Sequence, residues 1–485
     1  MRYTLFRKAP AVVLITVILA GMLQWQAVFA QDSNARYVFL FIGDGMGSAQ
    51  RLAAARTAGR ELVMDTFPAQ GITTTHAADR FITGSAAAGT ALACGRKTTI
   101  GSIGVDPGGQ RLASVAEKAK AAGKRVGIVT SAPLDDATPA VFYAHVPERK
   151  QSYAIDIALS GSGFDFFAGG GLRDPDNART RSDVFLGNAF QVLKRRGYTL
   201  LTDNSLLGQI HPGTGKVVAI HGRLPDHHAM PYALDIRQGD VSLAEYTRKA
   251  IEVLDCDAGF FIMVEGGKID WACHANDAAT AIHDVLALDE AVDRAVTFYE
   301  RHPEEVLIVV TADHETGGLS LGCAQTGYDT RFDLLSRQTV SFQQFYDSVV
   351  VPFREGESGF EDMEICITAA FGLQFQGSAD DPMLLAPMEK EAIRQAFDRS
   401  MKEPPSNRKG KKDPGVHVLY GNEDPLTVTL THILNNKAGI GWTTFAHTGV
   451  PVTTSALGVG SSSFQGRYDN TGIALKLMVA MGIDP

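Results

Sequence analysis

Ser85 opens a run of unusually small residues, "FITGSAAAGTALACG" at 81–95, in which no bulky side chain follows until Leu92. A hydroxyl on the first turn of an alanine-rich helix lies among unpaired backbone N–H groups at the positive end of the helix dipole. An anion such as phosphate is favoured there by about 0.3–1 kcal/mol. Gly84 permits the sharp entry such a turn needs, and small neighbours let something large approach. Taken alone, the pattern reads first as a helix cap on a tightly packed helix.

Side chains able to bind metal follow directly on apolar runs elsewhere. "FLFIGDGMG" brings Asp44, "VTSAPLDDATPA" brings Asp136 and Thr138, "FIMVEGGKIDWACH" brings Glu265, and "VVTADHETGG" brings Asp313 and His314. Asp270 and His274 are four apart, so a helix would turn both to one side, and a carboxylate with an imidazole suits zinc. "GDGMG" also invites a dinucleotide-binding reading. It lacks the third glycine of that fingerprint, and Asp44 would oppose a pyrophosphate.

These residues need a scaffold that gathers them. The runs "RYVFLFIG" (36–43), "RVGIVT" (125–130), "FFIMVE" (260–265) and "VLIVVT" (306–311) are apolar throughout and alternate with helical patterns such as "RLASVAEKAKAAG" and "DAATAIHDVLALDEAVDRAV". Such alternation predicts an α/β fold, a mostly parallel sheet covered by helices on both faces. Ligands in such sheets bind beyond the carboxyl ends of the strands, where the candidate residues stand. Over 331–437 the strand rhythm gives way to helical and polar pieces, read as an insertion over the sheet.

The chain has 485 residues, 45% hydrophobic and 20% charged, with a formal net charge of −9. That balance argues against a nucleic-acid partner, which clustered Lys and Arg would hold. The one dense basic cluster, Arg408, Lys409, Lys411 and Lys412, lies in a Pro- and Gly-rich run that reads as an exposed loop. Residues 1–30 read as a secretory signal: Arg2, Arg7 and Lys8, an apolar run at 11–23, and small residues at Ala27 and Ala30 before the expected cleavage. The remainder, 31–485, is expected to be exported, periplasmic or extracellular, with no membrane span. Five cysteines, Cys94, Cys256, Cys273, Cys323 and Cys366, allow at most two disulfides. His145, His227, His228 and Cys273 read as structural or surface residues.

The ordered segments "GDGMG", "SAAAGTALACG", "DATPAVFYAHVPERK", "VEGGKIDWACH", "TADH" and "AHTG" together resemble the alkaline phosphatase family. The resemblance implies a three-layer α/β/α sandwich with two zinc ions and one magnesium. It gives Asp270, His274 and His447 to the first zinc, Asp44, Asp313 and His314 to the second, and Asp44, Thr138 and Glu265 to magnesium. It makes Ser85 the nucleophile of a phosphoserine intermediate and Arg149 the residue that holds phosphate. The implied reaction is hydrolysis of small phosphate monoesters to an alcohol and inorganic phosphate. Relatives are often dimers, so a homodimer stands as an open option.

The chain departs from the family's pattern twice. Gly84 stands where members commonly have Asp, which leaves Arg149 without a carboxylate from that position, and Trp271 stands where relatives often place Lys or His. A phosphodiesterase or sulfatase of the same superfamily, or a secreted phosphate- or metal-binding protein without turnover, are the alternatives.

Overall fold

The computed structural model describes residues 34–356, 359–402 and 414–485. The signal segment with its cleavage at Ala30, and the basic loop at 408–412, lie outside the described residues. No helix among the described residues is long and apolar enough to cross a membrane.

The apolar runs form strands because extended chain puts successive side chains on opposite faces, and a strand apolar at every position can bury both. The strands are β1 (Tyr37–Gly43), β2 (Ala69–Thr74), β3 (Arg125–Thr130), β4 (Phe166–Gly169), β5 (Tyr198–Leu201), β6 (Lys216–Ile220), β7 (Phe260–Gly266) and β8 (Val306–Ala312). Two-residue strands follow, β9 (Glu315–Thr316), β10 (Ser320–Leu321), β11 (Ile440–Gly441) and β12 (His447–Thr448), then β13 (Val452–Gly458) and β14 (Gly466–Asp469). Ten of them make one sheet in the order β14-β2-β13-β8-β1-β7-β3-β4-β6-β5. Only β13 runs antiparallel to its neighbours, β2 and β8.

Alternation along β1 divides the core. Tyr37, Phe39 and Phe41 enter one apolar cluster together with Val253 and Leu254 of the Leu243–Leu254 helix and Ile282 and Leu288 of the Ala278–Tyr299 helix. Val38, Leu40 and Ile42 enter the other, with Leu92 of the Ser85–Cys94 helix and Leu477 of the Thr471–Ala480 helix. Each such side chain stabilises by about 1.5–3 kcal/mol relative to exposure. The result is the expected mostly parallel sheet between two helical layers.

Within 331–437 the described residues are mainly helical, including Phe360–Phe371, Pro387–Lys402 and most of Pro425–Ala438. Leu334, Phe345, Ile367 and Leu430 from this stretch join the same cluster as Phe39.

The three central strands end level: Gly43 lies opposite Gly266 of β7 and Ala312 of β8. Parallel neighbours are about 4.8 Å apart, so the residues that follow them emerge side by side.

Candidate metal centre

Asp44 follows β1, Glu265 closes β7, Asp313 and His314 follow β8, and Asp270 and His274 lie on the Lys268–His274 helix directly after β7. Thr138 lies on the Ala137–Ala140 turn reached from β3, and His447 arrives on β12, paired with Thr316 of β9. Gly45 makes this convergence possible. Its φ is +72°, and a Cβ there would lie 2.8 Å from the Asp270 Cα, while its N–H donates to Asp313 Oδ1 at 3.2 Å. Gly45 of "GDGMG" thus brings the end of β1 against the segments that carry Asp270 and Asp313.

Two groups of potential ligands result, Asp44 with Asp313 and His314, and Asp270 with His314 and His447. His274 belongs with the second group: its Nε2 is 3.2 Å from Asp270 Oδ2 and 3.2 Å from His447 Nε2, and His447 Nε2 is 3.6 Å from Asp270 Oδ1. Thr138 Oγ1 reaches Asp44 Oδ2 at 3.5 Å. Thr130, which the sequence reading passed over, donates to Glu265 Oε2.

The imidazole hydrogen bonds decide which nitrogens are bare. His274 Nδ1 faces the Phe445 carbonyl at 2.6 Å and His447 Nδ1 the Thr83 carbonyl at 2.9 Å, so each must donate from Nδ1. Thr316, also passed over, donates from Oγ1 to Asp270 Oδ1 at 2.5 Å and so accepts from His314 Nδ1 at 3.2 Å. When neutral, each ring turns an unprotonated Nε2 inward. Lone pairs face one another and the carboxylates, an arrangement that a cation between them satisfies.

The carboxylates tell the same story. Asp44 Oδ1, Glu265 Oε1 and Asp313 Oδ2 are buried without a hydrogen-bond partner. Burial, then the neighbouring Asp313 and Asp270, pushes Asp44 well above its ordinary range. Burial, then Asp136, raises Glu265 to about 8, and burial, then Asp270, raises Asp313 to about 7. Burial and then His447 hold His314 well below 6.5. Four buried carboxylates with three imidazoles fit dications, and the all-oxygen set of Asp44, Thr138 and Glu265 fits a hard one.

A prediction for the metal-free protein follows. Glu265, Asp313 and His274, the last raised to about 9 by Asp270 against its own burial, all keep protons in the folded state that the unfolded chain releases. Stability tied to raised groups is lost as pH rises through their folded values, so the chelated protein should melt at progressively lower temperature from about pH 7 to 9. Below about 6.5 the depressed His314 and His447 act oppositely. A thermal midpoint that climbs between pH 7 and 9 would contradict the assignment.

Ser85 is the first residue of a ten-residue helix, every residue of which is buried. Its Oγ lies 3.4 Å from His314 Nε2, beside both ligand groups. The small residues also serve packing, since a Cβ on Gly89 would meet Val141 at 3.2 Å and the Thr138 backbone at 3.6 Å. They let the helix that Ser85 begins lie directly on the turn that carries Thr138.

The reading of Gly84 needs correction. Arg149 does have a carboxylate: its Nη2 is 2.7 Å from Asp136 Oδ1, and Asp136 Oδ2 is 2.7 Å from Arg173 Nη2. Although burial alone would raise Asp136, Arg173 and Arg149 hold it at about 2. Asp136 is therefore an arginine anchor and no metal ligand. Gly84 has extended backbone, φ −140°, and a Cβ there would make only ordinary contacts, 3.8 Å from His447, so its backbone does not forbid a side chain.

Trp271 covers Lys268, whose Nζ lies 4.7 Å from the indole, 3.6 Å from the Tyr232 ring and 2.7 Å from Asp226. The five cysteines are all free thiols.

The alkaline phosphatase family model matches residues 35–483. Alkaline phosphatase 4 of Bacillus subtilis is 29% identical over 457 residues, covering 90% of this chain and 87% of that protein. The crystal structure of a cold-active alkaline phosphatase from Shewanella superposes with a TM-score of 0.75 at 28% identity, covering 92% of this chain and 99% of the other. That of Thermus thermophilus alkaline phosphatase gives 0.73 at 25% identity, covering 93% and 92%. The chain belongs to the alkaline phosphatase family.

Proposed function

We propose that this chain is an exported phosphomonoesterase that transfers the phosphoryl group of small phosphate esters to Ser85 and then to water. The observation that carries the reading is the placement of a buried serine hydroxyl 3.4 Å from His314 Nε2, between two groups of inward-facing ligands. In this reading Asp270, His274 and His447 hold one zinc, Asp44, Asp313 and His314 a second, and Asp44, Thr138 and Glu265 a magnesium. Bound there, such ions supply Lewis acidity, which activates hydroxyl and water oxygens and neutralises charge on a leaving oxygen.

Ser85 Oγ bonds to phosphorus as the ester P–O bond breaks and the alcohol departs. Water then attacks the phosphoserine from the side the alcohol left, releasing phosphate and restoring the hydroxyl. Arg149, fixed by Asp136, offers its remaining N–H groups to the phosphate oxygens, a geometry a guanidinium fork suits. The basic and apolar leader supports export to the periplasm or beyond.

Comparing p-nitrophenyl phosphate with bis-p-nitrophenyl phosphate tests the reading. Faster monoester release, abolished by a chelator and restored by Zn²⁺, is the expected result; faster diester release would overturn it.

Arg149→Ala should raise KM for monoesters by roughly tenfold to a hundredfold, the worth of a charge-assisted pair, and weaken inhibition by phosphate. Zinc content should not move. Zinc loss in this variant would mean that the arginine also supports the metal ligands.

A further inference from the structure

Beyond Arg149 the site opens into a cavity of about 920 Å³. Its lining carries charge of both signs, Arg149, Arg173 and Arg179 together with the acids Asp347 and Glu423. Asp226 and Asp424, also in the lining, pair with Lys268 and Arg354, each at 2.7 Å, and Asp347 accepts from Gln343.

Arg173 comes from the loop after β4, remote in sequence from every motif described above. Its backbone N–H donates to Asp135 Oδ2 at 3.3 Å, and its guanidinium is fixed by the buried Asp136, which holds Arg149 through its other oxygen. One carboxylate thus sets two guanidinium groups side by side. No other side chain accepts from the Arg173 guanidinium among the described residues, and its side chain keeps about a fifth of its surface exposed, at 19%. Asp136 is shared between the two cations, and Asp135, raised to about 7 chiefly by burial, lies beside Arg173, so the positive charge that the arginines present to the cavity is partly offset. Arg179, whose loop is fastened by backbone bonds from residues 179 and 180 to Asp174 at 2.9 and 2.7 Å, extends that charge outward.

We infer that Arg173 is a specificity-determining residue that binds a second anionic group on the substrate, a phosphoryl group next to the one transferred to Ser85. The inference rests on the phosphomonoesterase reading in assigning the first phosphate to Ser85 and Arg149. Planar guanidinium groups side by side match adjacent phosphoryl groups, each able to take a forked pair of hydrogen bonds. The preferred substrates are then of the nucleoside diphosphate kind: the terminal phosphoryl group passes to Ser85 as the P–O–P anhydride bond breaks, and the inner phosphate, which is the leaving group, sits at Arg173.

Binding and turnover test this separately on the metal-loaded, full-length protein. By calorimetry, the wild type should bind methylenediphosphonate at least about tenfold more tightly than methylphosphonate, a margin one charge-assisted contact supplies. R173Q should abolish most of that margin and R173K should keep part of it. In turnover, R173Q should lower kcat/KM for ADP about tenfold more than for AMP.

Equal losses for both members of either pair would show that Arg173 merely buttresses Arg149 through Asp136, and would overturn the inference. So would an R173Q variant, shown folded by its thermal midpoint, that retains the diphosphonate margin. Protein that binds the diphosphonate through Arg173 but releases no phosphate from any ester would instead sink the hydrolase reading and leave this site standing.

Discussion

Ser85→Ala should lower phosphate release by roughly three orders of magnitude or more while leaving metal content intact. The hydroxyl contributes no contact that the fold depends on: its one described partner is His314, and the helix it begins continues with three alanines. Alanine fits the same first turn, so stability should hardly change. What disappears is the acceptor of the phosphoryl group, so any residual rate must come from direct attack by water on substrate held at the same place. Incubation with [³²P]phosphate at acidic pH, followed by denaturation, should label the wild type and not the variant. A labelled Ser85→Ala protein would assign the nucleophile to another residue.

His314→Ala should cost comparably, for a different reason. His314 is shared by both ligand groups, its ring lies 3.7 Å from that of His447 in a near-parallel stack, and its Nδ1 is fixed by Thr316. Removing it takes a ligand from one cluster and packing from the other, so metal content should fall at both. Asp270→Asn should empty chiefly the cluster of His274 and His447, since the amide can still accept from Thr316 at Oδ1 but loses the charge and the second oxygen, which faces His274. Each should cost more than Arg149→Ala, because a metal on which both displacements depend is worth several kcal/mol, and a positioning arginine about 1.5–3 kcal/mol. Metal analysis beside activity checks the order. Full zinc in His314→Ala, with activity near that of the wild type, would refute the shared role.

The central strands were legible because burial on both faces leaves an unbroken apolar run: 36–43, 125–130, 260–265 and 306–311 all lie in or across β1, β3, β7 and β8. Their ends mark where Asp44, Glu265, Asp313 and His314 emerge, and those residues do meet. Asp270 and His274 were legible from helical spacing. Arg149 and His447 have no such local signal and came only from resemblance.

Short β4, β5 and β6 were missed, since four or five residues give periodicity too little length to register. Arg173 was missed with them, because its position depends on β4 lying beside β3. Asp136 looked like its neighbour Thr138. Only the two guanidinium groups seated on its oxygens distinguish anchor from ligand. Thr316 and Thr130 act through other side chains, and nothing in their spacing announces that.

The bond from His447 Nδ1 to the Thr83 carbonyl closes a loop of 364 residues. No fragment of the chain can therefore hold the complete centre, and closing so long a loop costs entropy before any ligand contact repays it. Metal uptake should come last, after the sheet has formed, and each bound ion should then act as a cross-link between distant parts of the chain. Losing metal then removes those links from a protein whose sheet still stands, so the chelated chain should stay folded but unfold faster than the loaded one.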